Sequence, residues 1–241
     1  MNDLLLSHRV ASYECGRDLQ LRPSAFLHLC QEVAEMHADR NGLGFDWGMQ
    51  QGLIWVEVQG DFEFLRRPRW KENVSLRTNT GKATPLQARR FVEMAGEDGE
   101  VLARADLMWV LIDVERRRPT PFRKAGLELP EPPAPLCSPI DGETLAAAAA
   151  AEPTLCSLCA TERDVDFNGH INNASYLIWA MDALPSDLRP EGEPRRLRIS
   201  FRHETMAGTV LEIVHRRAGH ATHHDISGEG VLRASLNILW G

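Results

Sequence analysis

Apolar and polar positions follow two rhythms along this chain, and the order of the rhythms repeats. After a short strand and turn over Arg9–Gln20, apolar residues fall at Phe26, Leu27, Leu29, Cys30, Val33, Ala34 and Met36, the spacing of one helix face. Pro23 stands where a helix start tolerates proline, and Gly42 and Gly44 end the run. Phe45, Trp47 and Met49 follow as a short helical piece or a packed loop. After Gly52 the texture changes to strand formers, predicting strands at Leu53–Leu65, Val74–Thr78, Leu86–Met94 and Val101–Val114. One long helix followed by consecutive strands on short connections predicts an antiparallel sheet wrapped around that helix, the hot-dog arrangement.

The plan then recurs. A strand over Leu155–Asp164 leads to a helix carrying Tyr176, Leu177, Trp179 and Met181 and stopped by Pro185. Strands at Arg196–His203, Thr209–Arg216, Ala221–Ser227 and Val231–Leu239 complete it. Between the halves lie a proline cluster and the alanine run Ala146–Ala151, read as a connector with one helical turn over the alanines. The predicted fold is α+β, a tandem (double) hot-dog: residues 1–123, a linker at 124–154, and 155–241. Laying Ser24–Leu27 on Ala174–Leu177 puts Gly16 at Asp166, Asp18 at Asn168 and Gln20 at His170. Aligning Phe64 with Phe201 puts Arg67 near Glu204. The first half keeps the frame and lacks the chemistry, which predicts one active unit and one that shapes the site.

Composition narrows the classes. With 241 residues, 43% of them hydrophobic, the chain can bury a real core. A net charge of −7, with no basic-aromatic module, argues against nucleic acid. The Met1–Ser7 start is too short and too acidic for a signal peptide, and no apolar run approaches membrane-spanning length. Five cysteines without framework spacing suggest reduced thiols, so the expected location is the cytoplasm. A homodimer is compatible with all of this. Cys156 and Cys159 lack a second pair to complete a zinc site, and His220, His223, His224 and Asp225 fall on both faces of one strand, so no metal is expected.

The densest chemistry lies between Thr161 and Asp182. Asp166, Asn168 and His170 alternate, which in an extended segment would put three polar groups on one side. Asn172 and Asn173 supply N-cap chemistry for the following helix. A carboxylate, an amide and an imidazole at a helix start can polarise a carbonyl and place a water beside it.

This stretch resembles the active-site segment of the plant and bacterial acyl-acyl-carrier-protein (acyl-ACP) thioesterases, roughly D-x-D-x-N-x-H-x-N-N-x-x-Y, with every fixed letter present from Asp164 to Tyr176. Arg67–Trp70 and the run from Trp109 to Pro119 resemble the same family, so the likeness covers residues 8–123 and 155–240. The resemblance implies hydrolysis of fatty acyl-ACP to free fatty acid and carrier, with no cofactor. It implies a catalytic network at Asp166, Asn168, His170 and Glu204. A cysteine commonly follows the glutamate in the family; Thr205 stands there in this chain, which favours a carboxylate mechanism. In that mechanism Glu204 and His170 activate water and Asp166 orients His170. Asn168 and backbone N–H groups near Asn172 and Asn173 hold the carbonyl. Either Asp166 or Glu204 could serve as the main base or attack directly. Thr205 is expected to touch substrate, and Trp55, with Phe26, Leu29, Val33 and Trp47, to line the acyl chain. Arginine clusters at 66–69, 116–118 and 195–198 could dock an acidic carrier protein. An acyl-coenzyme A thioesterase and a non-catalytic acyl-binding hot-dog protein are the alternatives.

Overall fold

A computed structural model describes residues 3–241, so the first two residues of the Met1–Ser7 start lie outside the described residues. The chain divides into two compact units meeting at Ser138 and Pro139.

In the first unit, β1 (Leu4–Arg9) precedes helix α1 (Pro23–Arg40) and the short α2 (Phe45–Gln51). Strands β2 (Leu53–Phe64), β3 (Asn73–Lys82), β4 (Gln87–Gly96) and β5 (Val101–Asp113) follow, and the two-residue β6 (Arg118–Pro119) pairs with the end of β5. The strand order is β1-β3-β4-β5-β2, every pairing antiparallel. Pro23 takes the first turn of α1, where its missing N–H costs nothing. Phe26, Cys30, Val33 and His37 form the buried stripe of α1. Phe26 sits edge-on to Phe62 and Phe64, with centroids 6.2 and 5.6 Å away. That contact seats the helix on the sheet. At the other end Leu53, Ala88, Leu111 and Phe122 form a second buried cluster, with Trp55 and Trp109 against it.

The second unit repeats the order. Helix α3 (Gly142–Ala150) is followed by β7 (Thr154–Cys159), α4 (Asn173–Asp182), β8 (Pro194–Phe201), β9 (Val210–Ala218), β10 (Ala221–Gly228) and β11 (Val231–Trp240). The strand order is β7-β9-β10-β11-β8, again antiparallel. Tyr176 of α4 packs edge-on to Phe201 of β8 at 5.8 Å.

Three expectations are corrected. The strand expected at Leu155–Asp164 stops at Cys159, because Thr161 and Asp164 cap a 3₁₀ turn over Glu162–Asp164. The single helical turn expected over the alanines is a full helix on β9 and β10, started by Asp141 accepting from Thr144 N–H at 2.8 Å. The proline cluster is no loose tether. Lys82 N–H donates to Pro130 O at 2.7 Å, and Leu136 and Cys137 N–H donate to Asp106 Oδ2 at 2.8 and 2.7 Å. Proline has no N–H to give, so the segment is held through carbonyls and through the few residues between the prolines.

Candidate functional site

The polar run is not extended. Asp166 N–H donates to His170 O at 2.8 Å and Gly169 N–H to Asp166 O at 3.0 Å, closing a tight turn with Gly169 at φ +79°. The three polar side chains therefore do not share one side of an extended strand, for a local reason. Asp166 Oδ1 accepts from the Asn168 N–H at 2.8 Å, and Oδ2 lies 3.4 Å from the Asn168 amide nitrogen. A short acceptor bonding two residues ahead is what turns the backbone here.

Two further bonds place the turn. Asn172 N–H donates to Asp164 O at 2.8 Å, and Ile171 N–H donates to Thr205 O at 3.0 Å. Residues 170–171 are thereby fastened beside 204–205, and His170 Nε2 lies 3.4 Å from Glu204 Oε2. Both side chains are part-exposed, at 36% and 41%, so water reaches the pair. Arg233 holds the Glu204 carbonyl at 2.7 Å from β11, a support the sequence reading did not name. No short-range pattern marks it, since the contact spans two strands.

The other candidate residues sort differently. Asp166 turns its carboxylate to Asn168 and not to the imidazole, unlike the direct contact with His170 that its expected role called for. Asn172 is the N-cap of α4: its Oδ1 accepts from Ala174 N–H at 2.8 Å, and its carbonyl accepts from Ser175 N–H at 3.0 Å. With Asn172 N–H spent on Asp164, these three donors are already used, which narrows the expected backbone cradle for a carbonyl around Asn173. Thr205, expected to touch substrate, is 1% exposed and receives the Tyr176 hydroxyl at 2.8 Å. It is a buried floor under the turn. Trp55 belongs to the first unit, where its indole N–H donates to Leu43 O at 3.0 Å and its ring lines a cavity of about 60 Å³.

The first unit carries the same loop without the chemistry. Gly16 N–H donates to Gln20 O, Leu19 N–H to Gly16 O, Leu21 N–H to Pro68 O and Arg22 N–H to Glu14 O, each at 2.8 to 3.0 Å. This matches Gln20 to His170 and, through Pro68 and Thr205, Arg67 to Glu204. Where the second unit has imidazole against carboxylate, the first has an Arg67–Asp18 ion pair.

The histidine patch resolves into two groups. His223 and Arg216 flank Asp225 at 3.1 and 3.0 Å on one face of β10. On the other face His224 and His215 are buried with Nδ1 to Nδ1 at 2.8 Å. Among the described residues no group of three or more His, Cys, Asp or Glu is placed to hold a metal ion.

Comparison with known proteins bears on this geometry. Residues 6–126 match the profile of the acyl-ACP thioesterase N-terminal domain, and residues 150–241 that of the C-terminal domain. A chloroplastic acyl-[acyl-carrier-protein] hydrolase of Cuphea viscosissima is 27% identical over 233 residues, covering 92% of this chain and 55% of its own length. A chloroplastic oleoyl-acyl carrier protein thioesterase of Arabidopsis thaliana is 24% identical, covering 84% of this chain and 60% of its own length. The chain thus spans a little over half the length of these curated relatives. In fold it is similar to an acyl-ACP thioesterase from Bacteroides thetaiotaomicron, with TM-score 0.84 at 19% identity and coverage of 99% and 98%. It is likewise similar to a 12:0-ACP thioesterase from Umbellularia californica, with TM-score 0.80 at 20% identity and coverage of 99% and 97%.

Proposed function

The chain belongs to the acyl-ACP thioesterase family, and from that membership and the His170–Glu204 pair we propose that it hydrolyses fatty acyl-ACP to free fatty acid and carrier. The observation that carries the reading is the 3.4 Å imidazole–carboxylate pair, open to water, inside the C-terminal domain match. His170 and Glu204 take a proton from water as it attacks the thioester carbonyl. Asn168, exposed at the turn, offers amide N–H to the developing oxyanion. The tetrahedral adduct collapses with cleavage of the C–S bond, and the carrier thiolate takes the proton. Asp166 positions Asn168 and closes the turn.

The repeated strand order and loop bonding support reading the two units as tandem hot-dogs, the first non-catalytic and holding the acyl chain. No helix among the described residues is long and apolar enough to cross a membrane, and the five free cysteines suit the reducing cytoplasm, which we propose as its location. Arg195 is exposed and bonds Gly241 O at 2.9 Å, at the head of the basic 195–198 run. Arg195→Glu is expected to raise KM for carrier-bound substrate and leave the coenzyme A thioester unaffected, if the carrier docks there.

Thiol release from acyl-ACP measures the reading directly. His170→Ala and Glu204→Gln are each expected to lose about 10²- to 10⁴-fold in kcat, the usual worth of a positioned acid or base. Asp166→Asn should lose less, because its work is positional. Near-normal rates in folded His170 and Glu204 variants would end the proposal.

A further inference from the structure

The cavity beneath α1 in the first unit mixes an apolar wall, including Ala34, Leu43, Ala88 and Leu129, with the polar side chains of Gln31, Glu35, His37, Thr80 and Arg90. Arg90 lines it while being only 6% exposed. Its described hydrogen bonds leave from Nη1 alone, to His37 Nδ1 at 3.1 Å and Thr78 Oγ1 at 3.2 Å. Both acceptors are uncharged, and a guanidinium has five N–H groups to place. Burial lowers the Arg90 pKa to about 10, and Glu35 is the carboxylate that works against that shift. Glu35 lines the same cavity from α1, with Oε1 accepting from Phe45 N–H at 2.8 Å. Trp109 lines the same cavity, and its buried indole N–H has no acceptor among the described residues.

A cavity with two under-used donors and one carboxylate is built for something other than plain hydrocarbon. A methylene would leave both donors unpaired, the arrangement buried polar groups avoid. A carboxylate tail would satisfy them but meet Glu35 as a like charge. A hydroxyl fits all three, its two lone pairs accepting from Arg90 and Trp109 and its O–H donating to Glu35. We propose that this cavity selects acyl chains that carry a hydroxyl group, with Arg90, Trp109 and Glu35 as the specificity residues. The proposal rests on the acyl-thioester reading, since it assigns the first unit to the chain of that substrate.

The test compares free dodecanoic acid with its hydroxylated isomers, from mid-chain to terminal, by calorimetric binding to the full chain, alongside thiol release from the matching acyl-ACPs. At least one isomer is expected to bind tenfold or more tighter than the plain acid, as sites built around a substrate hydroxyl discriminate strongly. Trp109→Phe, which keeps an aromatic ring but deletes the N–H together with the pyrrole half of the indole, should cut that ratio at least threefold, and Arg90→Gln more. Reading the ratio within each protein cancels any general loss of binding. Equal affinity for every isomer and the plain acid would mean that water satisfies the donors, and the proposal falls. An unchanged ratio in Trp109→Phe and Arg90→Gln, or no binding of any acid, overturns it as well. Preference without hydrolysis would sink the thioesterase reading alone; hydrolysis without preference would sink this one alone.

Discussion

Thr205 and Tyr176 form a single buried pair directly under the candidate site. The Tyr176 hydroxyl donates to Thr205 Oγ1 at 2.8 Å, and the Thr205 carbonyl takes the Ile171 N–H next to His170. Burial raises the Tyr176 pKa, so its hydroxyl stays a donor throughout the working range. Tyr176→Phe leaves Thr205 with an unmet buried hydroxyl and is expected to cost about 1–2 kcal/mol in denaturant unfolding. kcat should fall several-fold with little change in KM, because His170 loses its footing and substrate contacts do not. Unaltered stability would show the pair to be idle. Two residues of the candidate site were named in the sequence and lie together in the structure: His170 and Glu204 are 3.4 Å apart. The inward turn of Thr205 was not legible there, because the side on which a threonine is buried is decided by Tyr176, twenty-nine positions earlier. Arg233 was invisible for the same reason, its grip on Glu204 depending on how β11 passes the loop.

At the level of elements, the two loops differ at one conformationally costly position. Gly169 adopts φ +79°, and its first-unit counterpart Leu19 adopts φ +61°. The left-handed region is nearly free for glycine and costs another residue about 1–2 kcal/mol. A Cβ at Gly169 would meet nothing within 4 Å, so Gly169→Ala tests backbone conformation alone. It is expected to lower stability by about 1 kcal/mol and reduce kcat by relaxing the turn that carries His170. Leu19 is 57% exposed, so Leu19→Gly gives up little burial and should stabilise the first unit by up to about 1 kcal/mol. Opposite signs in thermal unfolding confirm the account; two destabilised variants refute it. Helix and strand positions were largely readable from apolar period, since Phe26, Cys30 and Val33 share a stripe. The loop was misread as extended because alternating polar residues fit a strand and a turn equally until Asp166 finds Asn168.

Across the whole chain, strand order repeats between the units, and the sequence carried that repeat in its alternation of helix and strand texture. What it could not carry was register. His223 and Asp225 were correctly read as sharing one face with His224 on the other, yet the partner of His224 follows only from β9 lying antiparallel to β10, which sets it directly opposite His215. That pairing has a consequence for acid stability. Burial lowers the pKa of His215, and burial with the neighbouring histidines pushes His224 down to about 3. The unfolded chain therefore takes up protons near 6.5 while the folded chain resists, and stability falls as pH drops from 6.5 toward about 3. Asp225, held well below the usual carboxylate range by His223, Ser235 and Arg216, pulls in the same direction at the acid end. His223 opposes it: hydrogen bonds to Asp225 and Asn237 raise its pKa despite burial, so its share is full below 6.5 and fades as pH rises through its folded value. Two buried histidines and one carboxylate outweigh one raised histidine, and the net expectation is a Tm that declines steadily from pH 7 to 4. His224→Gln retains a partner for Thr222 and cannot be protonated, so it should be less stable at pH 8 yet show a shallower decline. A wild-type Tm that stays level across that interval, or a His224→Gln slope equal to wild type, would mean that the buried pair is reached by water and does not hold the second unit neutral.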